Sequence, residues 1–166
     1  YSVYDTDSEA KRLMESSLEV VQKLSECFGR DIYHNGRLNR GLLSSRVFGE
    51  SDKIVLLNSI VHPVVRFDFY RWSESLNEEI SFVESAILYE SRFDELVDEV
   101  WTVTAPEELR IGRVRQRSGL TEEEIKKRMA AQLSEEEKQR RAAHIIWTDG
   151  NVSVIHRVLS LLKSLE

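Results

Sequence analysis

Short β-rich runs alternate with long stretches of helical periodicity along this 166-residue chain. The β-rich runs cover residues 3–4, 80–83, 100–103 and 144–147. Helical patterns lie between and after them, over residues 7–28, 38–48, 51–76, 106–117 and 154–162. Strands that alternate with helices form a parallel sheet covered by helices on both faces. The pattern therefore predicts the α/β fold class.

Local signals mark several helix boundaries. Gly29 offers a stop for the first helix, and the Asp149-Gly150 pair predicts a turn before the last one. Residues 121–124 and 134–137 both have the spacing of a capping box, in which Thr or Ser is followed three residues later by Glu. Two further helices are therefore expected between residues 118 and 143.

Composition limits the kinds of partner. A chain of 166 residues with 41% hydrophobic content predicts one compact domain with one core. The net charge of -6 argues against nonspecific binding to nucleic acid. The one cysteine, Cys27, excludes a disulfide within the chain, and no apolar run is long enough to span a membrane. We expect a cytoplasmic protein that contacts neither nucleic acid nor membrane.

Acidic residues follow the first predicted strand, in the sequence Asp5-Thr6-Asp7. Ligands of open parallel sheets gather beyond the carboxyl ends of the strands, after Tyr4, Val83 and Val103 in this chain. Two carboxylates there could accept a proton from a substrate hydroxyl or hold waters around Mg²⁺. The alternative is helix capping, because Thr6 with Glu9 has capping-box spacing. One carboxylate could also cap the helix while the other faces a ligand.

Three arginines form a basic stripe. Arg110, Arg113 and Arg117 lie within about 60° of one another around a helix of 3.6 residues per turn. Arginine offers paired donors that match phosphate oxygens, so the stripe suits a phosphate ligand. The alternative is a solvated face whose arginines pair with Glu107 and Glu108.

Three other residues have the chemistry of a site. Glu84 interrupts an apolar strand and could organise Mg²⁺ through water, or it could simply face outward. Glu90 closes the segment 86–89 and could cap the next helix. His62 precedes Pro63, and a lone histidine in an apolar helix is more often packed and hydrogen-bonded than catalytic.

No Gly-x-x-x-x-Gly-Lys-[Ser/Thr] motif occurs in the sequence. None of the seven glycines lies between a predicted strand and helix where it could cradle phosphates. The residues taken by themselves indicate an α/β domain with an anion site and nothing more specific.

The ordered set of segments nevertheless resembles the dephospho-coenzyme A kinase family over nearly the whole chain. The matching segments are Val3-Tyr4-Asp5-Thr6-Asp7, Phe28-Gly29, Gly36-x-Leu38-x-Arg40, Leu57-Asn58-x-Ile60-x-His62-Pro63, Glu84-x-Ala86-Ile87-Leu88-x-Glu90, Thr104-Ala105-Pro106-Glu107, Arg113 with Arg117, and Arg128-x-x-x-Gln132. No single segment is decisive, but their order and spacing are specific.

The resemblance implies a P-loop kinase-like three-layer α/β/α fold with a parallel sheet. It implies one kinase domain over residues 1–166, with a core at about 1–27, 77–111 and 143–166. A helical substrate-binding insertion would cover about 28–76, and a helical lid about 112–142. Such an enzyme transfers the γ-phosphoryl group of ATP to the ribose 3′-hydroxyl of dephospho-coenzyme A, with Mg²⁺ as the cofactor. This is the last step of coenzyme A synthesis.

The resemblance also implies roles for the residues that face the reaction. Asp7 matches the carboxylate that takes the hydroxyl proton, and Asp5 stands beside it as a helper or metal organiser. Arg113 and Arg117 match lid positions expected near the ATP phosphates.

Other positions match the substrate and metal sites. Arg40, His62 and Glu90 are expected in the substrate-binding region, where Arg40 and His62 would shape the pocket. Glu84 is expected to bind the metal through water.

The sequence departs from the family in two ways. Ala86 stands where the family usually has proline. The P-loop, with the first core strand and helix, is expected to precede Tyr1, so we expect residues 1–166 alone to be inactive. Two other interpretations stay open: another P-loop nucleoside or nucleotide kinase, and a non-catalytic module that binds coenzyme A-type ligands without a P-loop.

Overall fold

The computed structural model describes residues 1–165, and the chain divides into two compact units, Tyr1–Ser91 and Arg92–Glu166. The first unit contains β1 (Val3–Asp5), α1 (Thr6–Ser16), α2 (Leu18–Phe28), β2 (Tyr33–His34), β3 (Arg37–Leu38), α3 (Arg40–Val47), α4 (Ser51–Ser75) and β4 (Phe82–Glu84). The second contains β5 (Trp101–Thr104), α5 (Glu107–Ser118), α6 (Glu122–Ala130), α7 (Glu135–Arg141), β6 (His144–Trp147) and α8 (Val154–Leu162). Short 3₁₀ turns cover Arg30–Ile32 and Phe93–Glu95.

Each unit contains a parallel pair of strands. Strand β1 pairs in parallel with β4, with Asp5 opposite Glu84. Strand β5 pairs in parallel with β6, with Thr104 opposite Trp147. Parallel strands require a helical crossover between them, and α1–α4 and α5–α7 supply these crossovers. The α/β class is therefore confirmed, while the single-domain interpretation and the boundaries of the insertion and lid stay predictions.

The core of the first unit forms around α2 and the middle of α4. Val20 and Leu24, four residues apart on one face of α2, are fully buried. The aromatic ring of Tyr4 in β1 packs edge-on against Phe69 of α4, with ring centroids 5.3 Å apart, and lies 5.2 Å from the ring of Trp72. Strand β1 is thus fixed to α4 by aromatic packing.

The helix expected over residues 7–28 is in fact two helices. Helix α1 ends at Ser16, and Ser17 adopts an extended conformation with φ -82° and ψ 115°. Its hydroxyl accepts a hydrogen bond from the N–H of Val20 and so caps α2. Serine competes for backbone hydrogen bonds and is a strong N-cap, which is why the chain starts a new helix here rather than continuing the first.

Helix α4 runs unbroken for 25 residues, as predicted, although Pro63 lies within it. Proline removes one backbone donor from a helix interior. The helix continues because it buries Ile60, Val61, Val65 and Phe69 along one side. Apolar burial on both sides of Pro63 outweighs the lost hydrogen bond.

The predicted helix starts of the second unit are also confirmed. Thr121 and Glu124 form a complete capping box at the start of α6. The hydroxyl of Ser134 accepts from the N–H of Glu137 and caps α7. Helix α5 ends at Gly119, which has φ 68°. No helix within residues 1–165 is long and apolar enough to cross a membrane.

Gly29 is expected to be irreplaceable at the end of α2. Its φ of 92° is one that side chains rarely adopt, and an added Cβ would lie 2.6 Å from Arg46 Nη1 and 2.7 Å from Asp31 Oδ1. We expect Gly29→Ala to lower the free energy of unfolding by about 1–3 kcal/mol, from backbone strain alone. Urea denaturation followed by circular dichroism measures this change.

Gly41→Ala is the matched control, because Gly41 lies inside α3 and its added Cβ would meet only ordinary contact, 3.6 Å from Asn39 Oδ1. Alanine favours helix over glycine, so this variant should be as stable as the parent or more stable. Equal effects of the two substitutions would contradict the special role of Gly29.

Candidate active site

The carboxyl end of β1 joins α1 directly. Asp5 is the last residue of the strand, Thr6 is the first of the helix, and Asp7 lies in the first helical turn. Beside them Glu84 ends β4, and its carbonyl oxygen accepts a hydrogen bond of 2.9 Å from the Thr6 hydroxyl. Asp5, Asp7 and Glu84 therefore lie at the same end of one parallel strand pair, as the strand-end rule predicts.

Asp5 is the N-cap of α1. Its Oδ1 accepts hydrogen bonds from the N–H groups of Asp7 (3.0 Å) and Ser8 (3.2 Å), and its Oδ2 accepts one of 2.7 Å from the Ser8 hydroxyl. The hydrogen bonds from Ser8 lower the pKa of Asp5 below its ordinary value. The capping interpretation is thus correct for Asp5.

The capping box expected from Thr6 and Glu9 does not form. Thr6 is already helical, and its hydroxyl bonds to the neighbouring strand. Glu9 pairs with Arg12 instead. The reason is the early start of the helix: because α1 begins directly after β1, the cap position falls on Asp5.

Asp7 is exposed, and within residues 1–165 its carboxylate makes no hydrogen bond or ion pair. Its backbone N–H donates to the Asp5 cap. The two aspartates therefore differ: Asp5 holds the helix, and Asp7 presents both carboxylate oxygens to solvent.

The carboxylates at this strand end do not form a closed metal site. Among residues 1–165, no three His, Cys, Asp or Glu side chains are arranged to hold a metal ion. Glu84 is exposed beside the β1–α1 join. Mg²⁺ keeps several waters and needs only one or two protein carboxylates, so Asp7 and Glu84 fit it through water. Glu90 lies six residues beyond the end of β4, away from the strand terminus in the sequence.

Arg40 and His62 lie on α3 and α4. Arg40 begins α3, and its Nη2 donates a hydrogen bond of 3.2 Å to Glu15 of α1 while about half of the side chain stays exposed. His62 is half-buried, and burial lowers its pKa from the ordinary value of 6.5. The packing of His62 was predicted, but its imidazole ring makes no hydrogen bond within residues 1–165.

In the second unit the arginine stripe divides. Arg110 Nε donates to the carbonyl of Ala105 (3.0 Å), and Nη1 donates to Glu135 (2.9 Å), with which it forms an ion pair. The acid that it contacts is therefore Glu135 of α7, not the neighbouring Glu107 or Glu108 as the alternative interpretation supposed. Arg110 ties α5 to α7.

Arg113 binds Thr148, which directly follows β6. Its Nη1 donates to the Thr148 hydroxyl (2.9 Å), and its Nη2 donates to the Thr148 carbonyl. Arg117 is exposed and makes no hydrogen bond or ion pair in the described part of the chain. Among residues 1–165, therefore, Arg117 is free, Arg113 is held by Thr148, and Arg110 links α5 to α7.

Two threonines lie at this strand end: Thr104 directly follows Val103, where the sequence predicted a functional strand end, whereas Thr148 was not predicted as a site residue. The carbonyl of Thr104 accepts from the N–H (2.8 Å) and the hydroxyl (3.0 Å) of Thr148. Thr104 itself is 2% exposed, and its hydroxyl has no partner among residues 1–165. The strand-end rule, applied to β6 as it was to the other strands, identifies Thr148.

Comparison with known proteins gives a consistent result. The family model described as dephospho-CoA kinase matches residues 1–153. The dephospho-CoA kinase of Porphyromonas gingivalis is 40% identical over 134 residues, which are 81% of this chain and 66% of that protein. The dephospho-CoA kinase of Bacteroides fragilis is 35% identical over 164 residues, 98% of this chain and 80% of that protein. The chain thus spans about two thirds to four fifths of the length of these relatives.

A solved structure has the same fold. The crystal structure of a Thermus thermophilus protein superimposes with a TM-score of 0.84 at 32% identity, covering 99% of this chain and 84% of that one. The likeness supports a P-loop kinase-like α/β fold for the chain.

Asp5 is expected to tolerate asparagine but not alanine. Asparagine keeps a side-chain oxygen that accepts from the N–H groups of Asp7 and Ser8, and it is as good an N-cap as aspartate. Asp5→Ala removes the cap and should lower the midpoint of thermal unfolding, while Asp5→Asn should leave it nearly unchanged. Scanning calorimetry measures both; equal midpoints for the two variants would contradict the capping role.

His62 is expected to make stability depend on pH. Burial lowers its pKa from 6.5 in the folded protein, so the unfolded chain takes up the proton first as the pH falls. The stability that His62 contributes is present above about pH 6.5 and decreases as the pH falls from there toward the folded-state pKa. Urea denaturation between pH 7.5 and 5 should show this decrease, and His62→Gln should make it smaller.

His156→Gln is the control for this measurement, because His156 is exposed on α8. This variant should keep the pH dependence of the parent protein. The same dependence in His62→Gln as in the parent would show that burial of His62 is not its cause.

Proposed function

The chain belongs to the dephospho-CoA kinase family, and from this we propose that it transfers the γ-phosphoryl group of ATP to the ribose 3′-hydroxyl of dephospho-CoA. The products are CoA and ADP, so the reaction is the last step of CoA synthesis. Family membership makes the chain a transferase of the kinase class. We further propose that the enzyme is cytoplasmic.

The free carboxylate of Asp7 is the observation that supports this reaction best. A general base needs an oxygen that no other donor occupies, and the Asp7 carboxylate has none bound while Asp5 is engaged by Ser8 and by the helix end. Asp7 accepts the proton of the 3′-hydroxyl as that oxygen attacks the γ-phosphorus. Asp5 positions Asp7 by holding its backbone N–H.

Magnesium belongs to the proposal as the cofactor that accompanies ATP. When bound, Mg²⁺ offsets the negative charge of the phosphate oxygens and orients them. Glu84, which lies opposite Asp5 at the end of the strand pair, and Asp7, in the first turn of α1, are both exposed and are the carboxylates that would hold its waters. Asp5 contributes to this arrangement by capping α1 and so holding the backbone of Asp7.

The arginines of α5 supply positive charge for the ATP phosphates. Arg117 is exposed and free to bind an anion. Arg113 joins it by exchanging its hydrogen bonds to Thr148 for bonds to phosphate oxygens. Bonds between a guanidinium and a phosphate are charge-assisted and stronger than those to a neutral hydroxyl and carbonyl, so this exchange is favourable.

Dephospho-CoA is assigned to the helical insertion of the first unit. Arg40, the first residue of α3, keeps about half of its side chain exposed despite its contact with Glu15 and can pair with a substrate phosphate. His62 shapes the pocket from α4, and Glu90 supplies an exposed carboxylate after β4.

Asp7→Asn tests the function. The amide cannot take up the hydroxyl proton, so kcat should fall by about 10²–10⁴-fold. Within residues 1–165 the Asp7 carboxylate makes no hydrogen bond or ion pair, so thermal stability and dephospho-CoA affinity should be preserved. ADP release in a coupled assay gives kcat, and calorimetric titration gives the affinity. The protein is assayed with any native residues that precede Tyr1, because the sequence from Tyr1 has no Gly-x-x-x-x-Gly-Lys-[Ser/Thr] motif.

Asp5→Asn is the matched control, since it makes the same chemical change two residues away and keeps the cap. This variant should retain most of the activity. A near-normal rate in Asp7→Asn would refute the role of Asp7. Phosphorylation of nucleosides in preference to dephospho-CoA in a competition assay would refute the substrate, and binding of dephospho-CoA without turnover in the parent protein would refute catalysis.

A further inference from the structure

A single oxygen of Asp68 joins three elements of the first unit. Asp68 lies on α4, and its Oδ2 accepts a hydrogen bond of 2.7 Å from the hydroxyl of Tyr4 in β1. The same Oδ2 accepts a second bond, also 2.7 Å, from Nη2 of Arg12 in α1. The helix of the predicted substrate insertion is thus bonded to both the strand and the helix that carry the candidate catalytic aspartates.

The two donors lie on either side of those aspartates in the chain. Tyr4 immediately precedes the cap residue Asp5, and Arg12 follows Asp7 by five residues on α1. The segment from Tyr4 to Arg12 is therefore held at both ends by one carboxylate oxygen. Arg12 is further fixed by its ion pair with Glu9.

The two contacts differ in exposure: Tyr4 is buried, whereas the Arg12 side chain is 51% exposed. Tyr4 is 3% exposed, and burial together with the Asp68 hydrogen bond raises the pKa of its hydroxyl, so it remains a donor at all ordinary pH values. The Tyr4 ring packs against the rings of Phe69 and Trp72. The Asp68 side chain is 28% exposed, so water reaches it only in part.

We propose that Asp68 is a positioning residue for catalysis, which fixes the β1–α1 join so that the Asp7 carboxylate meets the substrate hydroxyl. The proposal rests on the function proposed above. Asp68 does not contact the reacting atoms. It acts through Tyr4 and Arg12, and because it belongs to α4 it couples the substrate-binding insertion to the catalytic base.

The expected effect is on kcat. A displacement of a catalytic group by about 1 Å can lower a rate by about 10²-fold. Asp68→Ala removes both bonds to Oδ2, and we expect kcat to fall by about 10- to 100-fold, with the KM for ATP changed less than about twofold. Asp68→Asn keeps a side-chain oxygen for the two donors and should restore most of the lost kcat.

A double-mutant cycle separates the effect of the two Asp68 bonds from general destabilisation. Tyr4→Phe keeps the packed ring and removes only the hydroxyl, so it should lower kcat by itself. In the Asp68→Ala background the same change breaks only the long, 3.4 Å contact of the Tyr4 hydroxyl with the Val65 carbonyl and should have little further effect. Rates are measured at a temperature well below the unfolding midpoint of every variant.

Asp31→Ala is the matched control. Asp31 forms an ion pair with Arg46 within the same predicted insertion, and the other hydrogen bond that Arg46 donates within residues 1–165 goes to the Phe28 carbonyl of α2. We expect kcat of this variant to equal that of the parent. The comparison distinguishes loss of the two Asp68 bonds from loss of any ion pair in this region.

The outcomes are distinct. Reduced kcat in Asp68→Ala, recovery in Asp68→Asn and a non-additive cycle with Tyr4→Phe support the proposal. An unchanged kcat in Asp68→Ala, with only a lower unfolding midpoint, would overturn it and leave a merely structural residue. Full activity of Asp7→Asn would instead overturn the role of Asp7 in the proposed function, whatever Asp68→Ala shows.

Discussion

The direct join between β1 and α1 is the constraint on which the candidate active site depends. Because no loop separates strand from helix, the exposed N–H groups of the first helical turn lie at the carboxyl end of the strand pair. The Asp5 carboxylate accepts hydrogen bonds from two of these groups, and one of them belongs to Asp7. The bond from Thr6 to the Glu84 carbonyl ties the same turn to β4. The position of Asp7 is therefore set by backbone geometry.

The same geometry explains why two nearby aspartates differ in chemistry. An N-cap side chain reaches the N–H groups two and three residues ahead, here those of Asp7 and Ser8, and the Asp5 carboxylate also accepts from the Ser8 hydroxyl. The hydrogen bonds from the Ser8 hydroxyl and N–H lower the pKa of Asp5. A carboxylate engaged in this way is a poor proton acceptor. Asp7 has helical dihedral angles and no such partners, so its oxygens remain available. The strand-to-helix join thus separates a hydrogen-bonded carboxylate from a solvent-exposed one within three residues.

Local patterns predicted much of the fold, because they depend on neighbours in the sequence. The α/β class, the unbroken helix through Pro63 and the caps at Thr121 and Ser134 all follow from periodicity or from spacing of three residues. The break at Ser17 was missed because the apolar spacing continues across it. Contacts such as Tyr4 with Asp68 could not be predicted, because 64 residues separate them and no local pattern marks the pair. The sequence indicated which residue types belong to the candidate site, but it did not predict their hydrogen-bond partners.

The arginines of α5 show most clearly that residue type alone does not predict which partner a side chain binds. Arg110, Arg113 and Arg117 share one helix face, yet the first is bonded to Glu135, the second to Thr148 and the third to neither. Tertiary neighbours decide these differences. An arginine that is already hydrogen-bonded binds an anion only if the new bonds are stronger than those that it gives up. Bonds to phosphate are charge-assisted, whereas Arg113 bonds to the neutral hydroxyl and carbonyl of Thr148. Arg110 would have to leave a partly buried carboxylate unpaired, which makes it the structural member of the stripe.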